Sequence, residues 1–223
     1  MNRTKSIRHI AAACLSSVGL LAGAASAQTT FLGTIANWQA NPIQPIGDKQ
    51  YTYLTQSGSW SGDELFTLSS NIPLFSNSLT VNGLGALTGP FTLSFGYELL
   101  ITNTSNTFQS MALDVNSTGT TTTITKDIFD TVEAFNSGTA GPGVGTWSLT
   151  LINSSSGSTV SLPPIQTVWV RDWITASPSG SLLGVSNTAV QLPEPSSLAL
   201  AGIAVSCGGA AYWRRRRSAK IAT

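Results

Sequence analysis

Apolar and polar residues alternate with a period of two along the middle of this chain, between Gln28 and Leu192. The clearest segment is PFTLSFGYELLIT, whose apolar and aromatic positions share one face: Phe91, Leu93, Phe95, Tyr97, Leu99 and Ile101. Because successive side chains of a strand point to opposite faces, this alternation predicts a long strand with one face against a core.

Shorter segments with the same alternation predict most of the remaining strands. They contain Tyr51 and Tyr53, Phe66 and Leu68, Leu79 and Val81, Met111 to Val115, Trp147 to Leu151, and the segments QTVWVRDWI and SLLGVSNTAV. The turn-forming segment NTSNT predicts a hairpin between the long strand and the segment FQSMALDV. About nine or ten strands, separated by Gly, Asn, Ser and Pro, indicate an all-β fold, a single antiparallel β-sandwich or jelly-roll-like domain.

One segment, TKDIFDTVEAFNSG, departs from this period. Ile128, Val132 and Phe135 recur at helical spacing, Asp127 falls in the first turn, and Gly138 follows the last turn. An acid near the start and a glycine after the end favour a helix. We therefore expect one short helix on an edge or end of the sandwich, preceded in TGTTTTIT by an edge strand or a loop.

The first residues have the composition of an export signal. Three basic residues within the first eight are followed by an uncharged apolar run from Ile10 to Leu21. Ala25 and Ala27 then offer the small side chains that signal peptidase requires. This order predicts a signal peptide of residues 1–27, which engages the export translocon and is cleaved after Ala27.

The last residues predict a membrane span. Ser196 to Trp213 is a run of eighteen uncharged residues, which as a helix is just long enough to cross a thin bilayer. A basic cluster follows, and such a cluster stays on the cytoplasmic side: Arg214, Arg215, Arg216 and Arg217. We therefore expect residues 28–192 to be exported and residues 218–223 to form a cytoplasmic tail.

Removing both ends changes the charge of what remains. Of the eleven basic residues only Lys49, Lys126 and Arg171 lie between Gln28 and Leu192, together with nine of the ten acidic residues. An acidic body without clustered cations argues against nucleic acid as a partner. Both lysines stand in polar stretches, where we expect them to be solvated and to keep their protons, which argues against a Ser-Lys dyad.

The histidine and both cysteines also lie in the two ends. His9 and Cys14 precede the body, and Cys207 follows it. This excludes Ser-His-Asp and Cys-His catalysis, histidine-based zinc sites and an internal disulfide in residues 28–192. We expect a body with no cofactor, no resident metal and no enzymatic activity.

Carboxylates leave two alternatives open. Glycoside hydrolysis needs two acids across a sugar, but the adjacent Asp63 and Glu64 would point to opposite faces of a strand. Calcium needs oxygen ligands, and two of Asp127, Asp130 and Glu133 could share an ion on one side of a helix. The simpler interpretation of these three acids is an exposed, solvated helix face.

Aromatic residues suggest a sugar-binding face. In VWVRDWI the alternation puts Trp169, Arg171 and Trp173 on one side of a strand. Indole rings stack on sugars and a guanidinium donates hydrogen bonds to hydroxyls, so these three residues are candidates. The alternative is that the tryptophans fill the core and Arg171 pairs with an acid or lies across an indole.

The tail resembles a known sorting signal. Pro193, Glu194 and Pro195 are followed at once by the apolar run and the arginine cluster. This order over residues 193–217 resembles the PEP-CTERM signal of exported proteins in Gram-negative bacteria, and the body resembles in composition the exported β-rich domains that precede such tails. A Gram-positive sortase signal is a poorer match, because Pro195 and Ser196 stand where Thr and Gly are needed.

The resemblance implies an exosortase as partner, which would convert an inner-membrane-anchored precursor into a cell-surface or extracellular-matrix protein. Organisms with this system commonly make exopolysaccharide. We therefore predict an exported surface or matrix protein with a non-catalytic structural or adhesive β-domain. The alternatives are a carbohydrate-binding module for exopolysaccharide, with or without calcium, and a carboxylate-dependent glycoside hydrolase.

Overall fold

The computed structural model describes residues 28–60, 62–71, 76–83, 90–118, 122–138, 141–153, 157–177 and 181–193. Within them the chain forms twelve strands and two short helices, arranged as two six-stranded antiparallel sheets packed face to face. The predicted all-β sandwich is confirmed, with a second helix that the sequence pattern did not predict.

Sheet I has the strand order β1-β4-β5-β12-β7-β10, and sheet II has the order β2-β3-β6-β11-β8-β9. The strands are β1 (Gln28–Gly33), β2 (Ile43–Ile46), β3 (Lys49–Ser57), β4 (Leu65–Asn71), β5 (Ser76–Asn82), β6 (Phe91–Ile101), β7 (Asn106–Thr118), β8 (Thr122–Phe129), β9 (Trp147–Ile152), β10 (Ser158–Ser161), β11 (Thr167–Ala176) and β12 (Ser181–Pro193). The helices are α1 (Ile35–Ala40) and α2 (Val132–Ser137).

The core fills the space between the sheets. The face of β6 that the alternation predicts points inward, and Leu93, Phe95, Tyr97 and Leu99 are at most 1% exposed. Sheet I contributes the opposing side chains Phe66, Leu68, Leu79, Val81, Met111, Leu113, Leu182 and Val185. Trp38 of α1 is fully buried and packs against Phe66 and Tyr97. Its helix begins at a capping box in which the Thr34 side chain accepts from the Asn37 backbone.

The predicted hairpin between β6 and β7 is wrong. β6 pairs with β3 and β11 in sheet II, whereas β7 pairs with β10 and β12 in sheet I. The chain therefore crosses from one sheet to the other at NTSNT. A turn signal marks where the chain reverses, but it does not say which sheet the next strand joins.

The predicted helix begins later than its spacing indicates. Thr122–Phe129, which includes Asp127 and Ile128, is β8, an inner strand of sheet II. Helix α2 begins at Val132, and the N-cap hydroxyl of Thr131 accepts a hydrogen bond from the Ala134 backbone at 3.2 Å. The strand alternation of ITKDI was hidden because a lysine occupies the inward position between its two isoleucines.

Neither helix of the described residues is long enough to span a membrane. Pro193 is the last residue of β12. The predicted signal peptide, the rest of the sorting motif, the apolar run and the arginine cluster lie outside the described residues.

Candidate functional site

The three candidate sugar-binding residues share the outer face of sheet II. In β11 the alternation turns Val168, Val170, Asp172 and Ile174 into the core, which leaves Trp169, Arg171 and Trp173 on the opposite side. The tryptophans are therefore outside the core, and both are partly exposed. Only the arginine between them is buried, at 4% exposure.

Arg171 is buried because α2 lies over it. Its Nη2 donates to the Phe135 carbonyl at 3.2 Å and its Nη1 donates to the Gly138 carbonyl. The guanidinium carbon lies 4.3 Å from the centre of the Phe135 ring. Burial lowers the pKa of Arg171, and the charge of Asp127 opposes this shift. Arg171 therefore holds the C-terminal end of α2 and does not present its donors to a ligand.

Asp127 lies directly opposite Arg171 on the neighbouring strand β8 and is also buried. Its carboxylate accepts hydrogen bonds from the Gly143 backbone, at 3.0 and 3.1 Å, and from the Ser148 hydroxyl. The charge of Asp127 is thus used to hold the segment that follows α2 against the sheet.

The acids considered for calcium do not share one helix. Asp127 is on β8, Asp130 accepts from the Thr146 hydroxyl at 3.0 Å, and Glu133 is exposed on α2. No three acidic, histidine or cysteine side chains of the described residues are placed to hold a metal ion. Asp63 and Glu64, considered for hydrolysis, occupy different surroundings, because Asp63 is exposed and Glu64 is buried.

Helix α2 divides the outer face of sheet II into two halves. In one half Trp173 pairs with Ser94 and Thr125, and this row ends in hydroxyls at Ser57 and Thr150. In the other half the neighbours of Trp169 are an acid and an aromatic ring, Glu98 and Phe129. Ser94 and Thr125 are buried and bond to the exposed hydroxyls of Ser57 and Thr150. The partly exposed indole thus offers a stacking surface, and the hydroxyls at the two ends of its row offer hydrogen-bonding groups.

Sequence reasoning missed a set of polar residues inside the core. Both lysines predicted to be solvated are buried: Lys49 is 1% exposed and Lys126 is fully buried. Strand alternation could have found Lys126, since it lies between the inward Ile124 and Ile128. It could also have placed Asp172 inside, between Val170 and Ile174.

Each lysine belongs to a cluster that connects the two sheets. In the core cluster, Lys126 Nζ lies 3.1 Å from Asp172 Oδ1, and Asn187 of β12 donates from Nδ2 to Asp172 Oδ2 at 2.9 Å. In the edge cluster, Lys49 Nζ lies 3.2 Å from Asp48 Oδ1, and Gln191 of β12 donates from Nε2 to Asp48 Oδ2 at 2.6 Å. The clusters therefore have the same composition: a lysine, a carboxyl group and a carboxamide.

The carboxyl groups of the two clusters have opposite pKa shifts. Burial raises the pKa of Asp172, although Lys126 and Asn187 partly offset this shift. Burial also acts to raise the pKa of Asp48, but hydrogen bonds from Gln191 and Asn106 and the charge of Lys49 outweigh it and lower that pKa. Burial lowers the pKa of both lysines. The core cluster therefore favours the neutral form of its carboxyl group, whereas the edge cluster favours the charged form.

Two open grooves lie away from these clusters. One, of about 550 Å³, lies beside Gly33, Asn41 and Gln44. The other, of about 480 Å³, lies between α1 and the segment after β3, and Trp60 lines it with Gln56 and Gly58. The Trp60 indole donates to the Ser57 carbonyl at 3.1 Å and packs on Phe66 and Phe95, so it mainly closes this end of the core.

No protein-family model matches this chain, and no curated protein matches it. Similar solved structures include a CBM4 structure, at TM-score 0.29 and 9% identity over 65% of this chain and 87% of that one. A mutant of a family 29 carbohydrate-binding module matches at TM-score 0.27 and 10% identity over 76% of this chain and 94% of that one. The enzymatically active domain of tailspike protein 4 of bacteriophage CBA120 matches at TM-score 0.29 and 11% identity over 63% of this chain but only 19% of that one. Similarities this distant carry no argument about function.

Proposed function

We propose that this chain is an exported protein of the cell surface or extracellular matrix, and that its β-sandwich is a structural or adhesive domain without catalytic activity. The observation that carries the proposal is where the reactive side chains lie. Lys49, Lys126, Asp127, Arg171 and Asp172 are all buried and bonded within the fold. Proton transfer to a substrate requires groups that the substrate can contact.

The distribution of charge supports a partner other than nucleic acid. All three cations between Gln28 and Leu192 are buried. The acids that the structure shows as exposed are Asp63, Asp114, Asp130 and Glu133. A surface that binds phosphates needs clustered, exposed lysine and arginine side chains.

The tail supports delivery to the surface. Because β12 ends at Pro193, the sorting motif follows directly on the sandwich. In the sequence Glu194 lies between two prolines, and a residue that precedes a proline favours an extended backbone, which is the conformation that we expect a processing enzyme to bind. We infer that an exosortase cuts at this junction, between the folded domain and the apolar run.

Mass spectrometry of the C-terminus of the protein from its host tests this delivery. We expect a mature chain that ends at or near residues 193–195, and we expect Glu194→Ala to leave the precursor uncut. Glu133→Ala removes an exposed acid from α2 and is the matched control, which should be cut normally. A wild-type chain that still ends at Thr223 would contradict the proposal.

Carbohydrate binding is the second candidate function. The observation that favours it is the partly exposed Trp173 indole on the outer face of sheet II, in a row that ends in the exposed hydroxyls of Ser57 and Thr150. Since Arg171 is covered by α2, the binding surface would be the Trp173 half of the face, with the indole stacking on a sugar ring.

Affinity electrophoresis of the protein through gels containing host exopolysaccharide tests this second function. We expect retardation of the wild-type protein and its loss in Trp173→Ala, because stacking on the indole would be removed. Trp169→Ala, in the other half of the face, is the matched control and should still be retarded. Equal mobility of the wild type with and without polysaccharide, in calcium or in its absence, would exclude carbohydrate binding.

A further inference from the structure

The core cluster brings a lysine nitrogen and a carboxamide nitrogen to the same carboxyl group. Lys126 and Asp172 lie directly opposite each other on β8 and β11 of sheet II, and both side chains are fully buried. Asn187 reaches them from β12 of sheet I and is 2% exposed. One oxygen of Asp172 contacts Lys126 Nζ, and the other accepts from Asn187 Nδ2.

The surroundings of the cluster favour uncharged groups. Burial lowers the pKa of Lys126 and raises the pKa of Asp172, and the attraction between the two opposes both shifts. Lys126 Nζ also contacts the buried Tyr97 hydroxyl at 3.4 Å. A free amine is a nucleophile, whereas an ammonium ion is not, and burial shifts Lys126 towards the free amine.

The amide that contacts the same carboxyl group as Lys126 belongs to Asn187. Its Oδ1 is buried and has no hydrogen-bond partner among the described residues, so no hydrogen bond to this oxygen fixes the orientation of the amide. Attack on an amide carbon requires a proton to leave the attacking nitrogen and a proton to reach the departing nitrogen. Asp172 contacts both nitrogens, which is the position that such a transfer needs.

We propose that the core cluster forms an intramolecular isopeptide bond between Lys126 and Asn187, with Asp172 transferring the proton. Lys126 Nζ attacks Asn187 Cγ, and the bond from Cγ to Nδ2 breaks. Asp172 gives its proton to Nδ2, which leaves as ammonia, and takes the proton that Nζ loses. The products are one amide bond and one ammonia, and neither an oxidant nor a cofactor is consumed.

The bond would join β8 of sheet II to β12 of sheet I through the middle of the sandwich. Its role would be that of a disulfide, which residues 28–192 cannot form because both cysteines lie outside them. A covalent closure of this kind stabilises mainly by restricting the unfolded chain. This inference depends on neither the sorting proposal nor the carbohydrate proposal.

The edge cluster is an internal comparison with the same chemical groups. Lys49 Nζ contacts both Asp48 and Gln191 Oε1, the latter at 2.6 Å. The Asp48 side chain is 29% exposed, and its lowered pKa keeps it a carboxylate with no proton to give. We therefore expect the edge cluster to remain non-covalent.

Peptide mapping by mass spectrometry of the denatured full chain, digested with pepsin, tests the bond. We expect the peptides that contain Lys126 and Asn187 to appear as one linked species, about 17 Da lighter than their sum because ammonia is lost. Peptides with Lys49 and Gln191 should appear separately. Separate Lys126 and Asn187 peptides at full mass would overturn the proposal, and so would a link about 18 Da lighter, because loss of water would place the bond on Asp172.

Variants test the role of each group. Lys126→Arg and Asn187→Ala should abolish the linked species, whereas Gln191→Ala in the edge cluster should keep it. Asp172→Asn should also abolish it, with folding checked by circular dichroism. A linked species that persists in a folded Asp172→Asn variant would overturn the proton-transfer role. The peptide map of the wild-type protein tests the bond by itself, even if a substitution prevents folding of a variant.

Discussion

Single residues show how burial removes positive charge from the surface of this protein. Lys49 and Lys126 enter the core from sheet II. Lys49 Nζ contacts the Asp48 carboxyl group and the Gln191 carboxamide, and Lys126 Nζ contacts the Asp172 carboxyl group and the Tyr97 hydroxyl. Arg171 points the other way and is covered by α2. Burying a charge is unfavourable unless partners replace the lost water, and these contacts offset that cost.

Asp48 contributes an acid-sensitive part of the stability. Its folded pKa lies below the ordinary value of 3.8, because its hydrogen bonds and Lys49 outweigh burial. A carboxyl group with a lowered pKa stabilises the fold above its unfolded pKa, and this stabilisation is lost as the pH falls through the folded pKa. We therefore expect the free energy of unfolding, measured in urea, to decrease as the pH is lowered below about 3.8.

Substitution separates this contribution from those of other acids. Asp48→Asn should flatten the acid side of the stability curve, since the substituted side chain does not titrate. Asp114→Asn, which changes an exposed acid on β7, is the control and should leave the curve as in the wild type. If the two variants have identical curves, Asp48 is not the source of the effect.

At the level of elements, α2 shows how a short helix is fixed to a sheet. Six residues of helix are too few to be stable alone, so packing must hold it. Phe135 is 3% exposed and packs where Gly96 of β6 has no side chain, directly opposite Arg171. The glycine thus makes room for the ring, and the arginine caps the helix that carries it.

Gly96→Ala tests this fit. A Cβ at this position would lie 2.7 Å from the Phe135 ring and 2.9 Å from Thr55 Cγ2, so α2 must shift. We expect a loss of about 1–3 kcal/mol in the free energy of unfolding, measured in urea. Thr175→Ala, at an exposed position of β11, should change it little. A fully stable Gly96→Ala protein would show that the contact with Phe135 is dispensable.

Strands with clear alternation of apolar and polar residues were predictable from the sequence, because their core residues lie on one face. The apolar core residues of β6, β9, β11 and β12 fall on one face of each strand, so period two is present in their sequences. β1, β2 and β10 were not predicted, because they are short strands with few buried apolar side chains. The strand β8 has a buried lysine in an inward position. A polar residue there interrupts the apolar pattern, so hydropathy alone does not identify the strand.

The candidate site was predictable only in part. Alternation correctly placed Trp169, Arg171 and Trp173 on one face, but the cover that α2 provides depends on a contact between distant segments. The two clusters were missed because each brings together polar side chains from both sheets, a pairing that the alternation within one strand does not show.

At the scale of the whole molecule, the two sheets depend on strands that lie far apart in sequence. In sheet I, β12 is the neighbour of both β5 and β7, so it joins the group β1-β4-β5 to the pair β7-β10. It also supplies the carboxamides of both clusters that reach sheet II. One strand thus completes sheet I and connects it to sheet II.

The position of β12 also sets an order of events in time. Under the export proposed above, residues 181–193 emerge after all the other strands, and until then sheet I stays in two halves. Since β12 ends at Pro193, the sandwich can close only when Glu194 is itself about to emerge. If the chain is exported as proposed, the fold is completed just as the proposed sorting motif emerges, and the last strand is available to the sheet when the tail is presented.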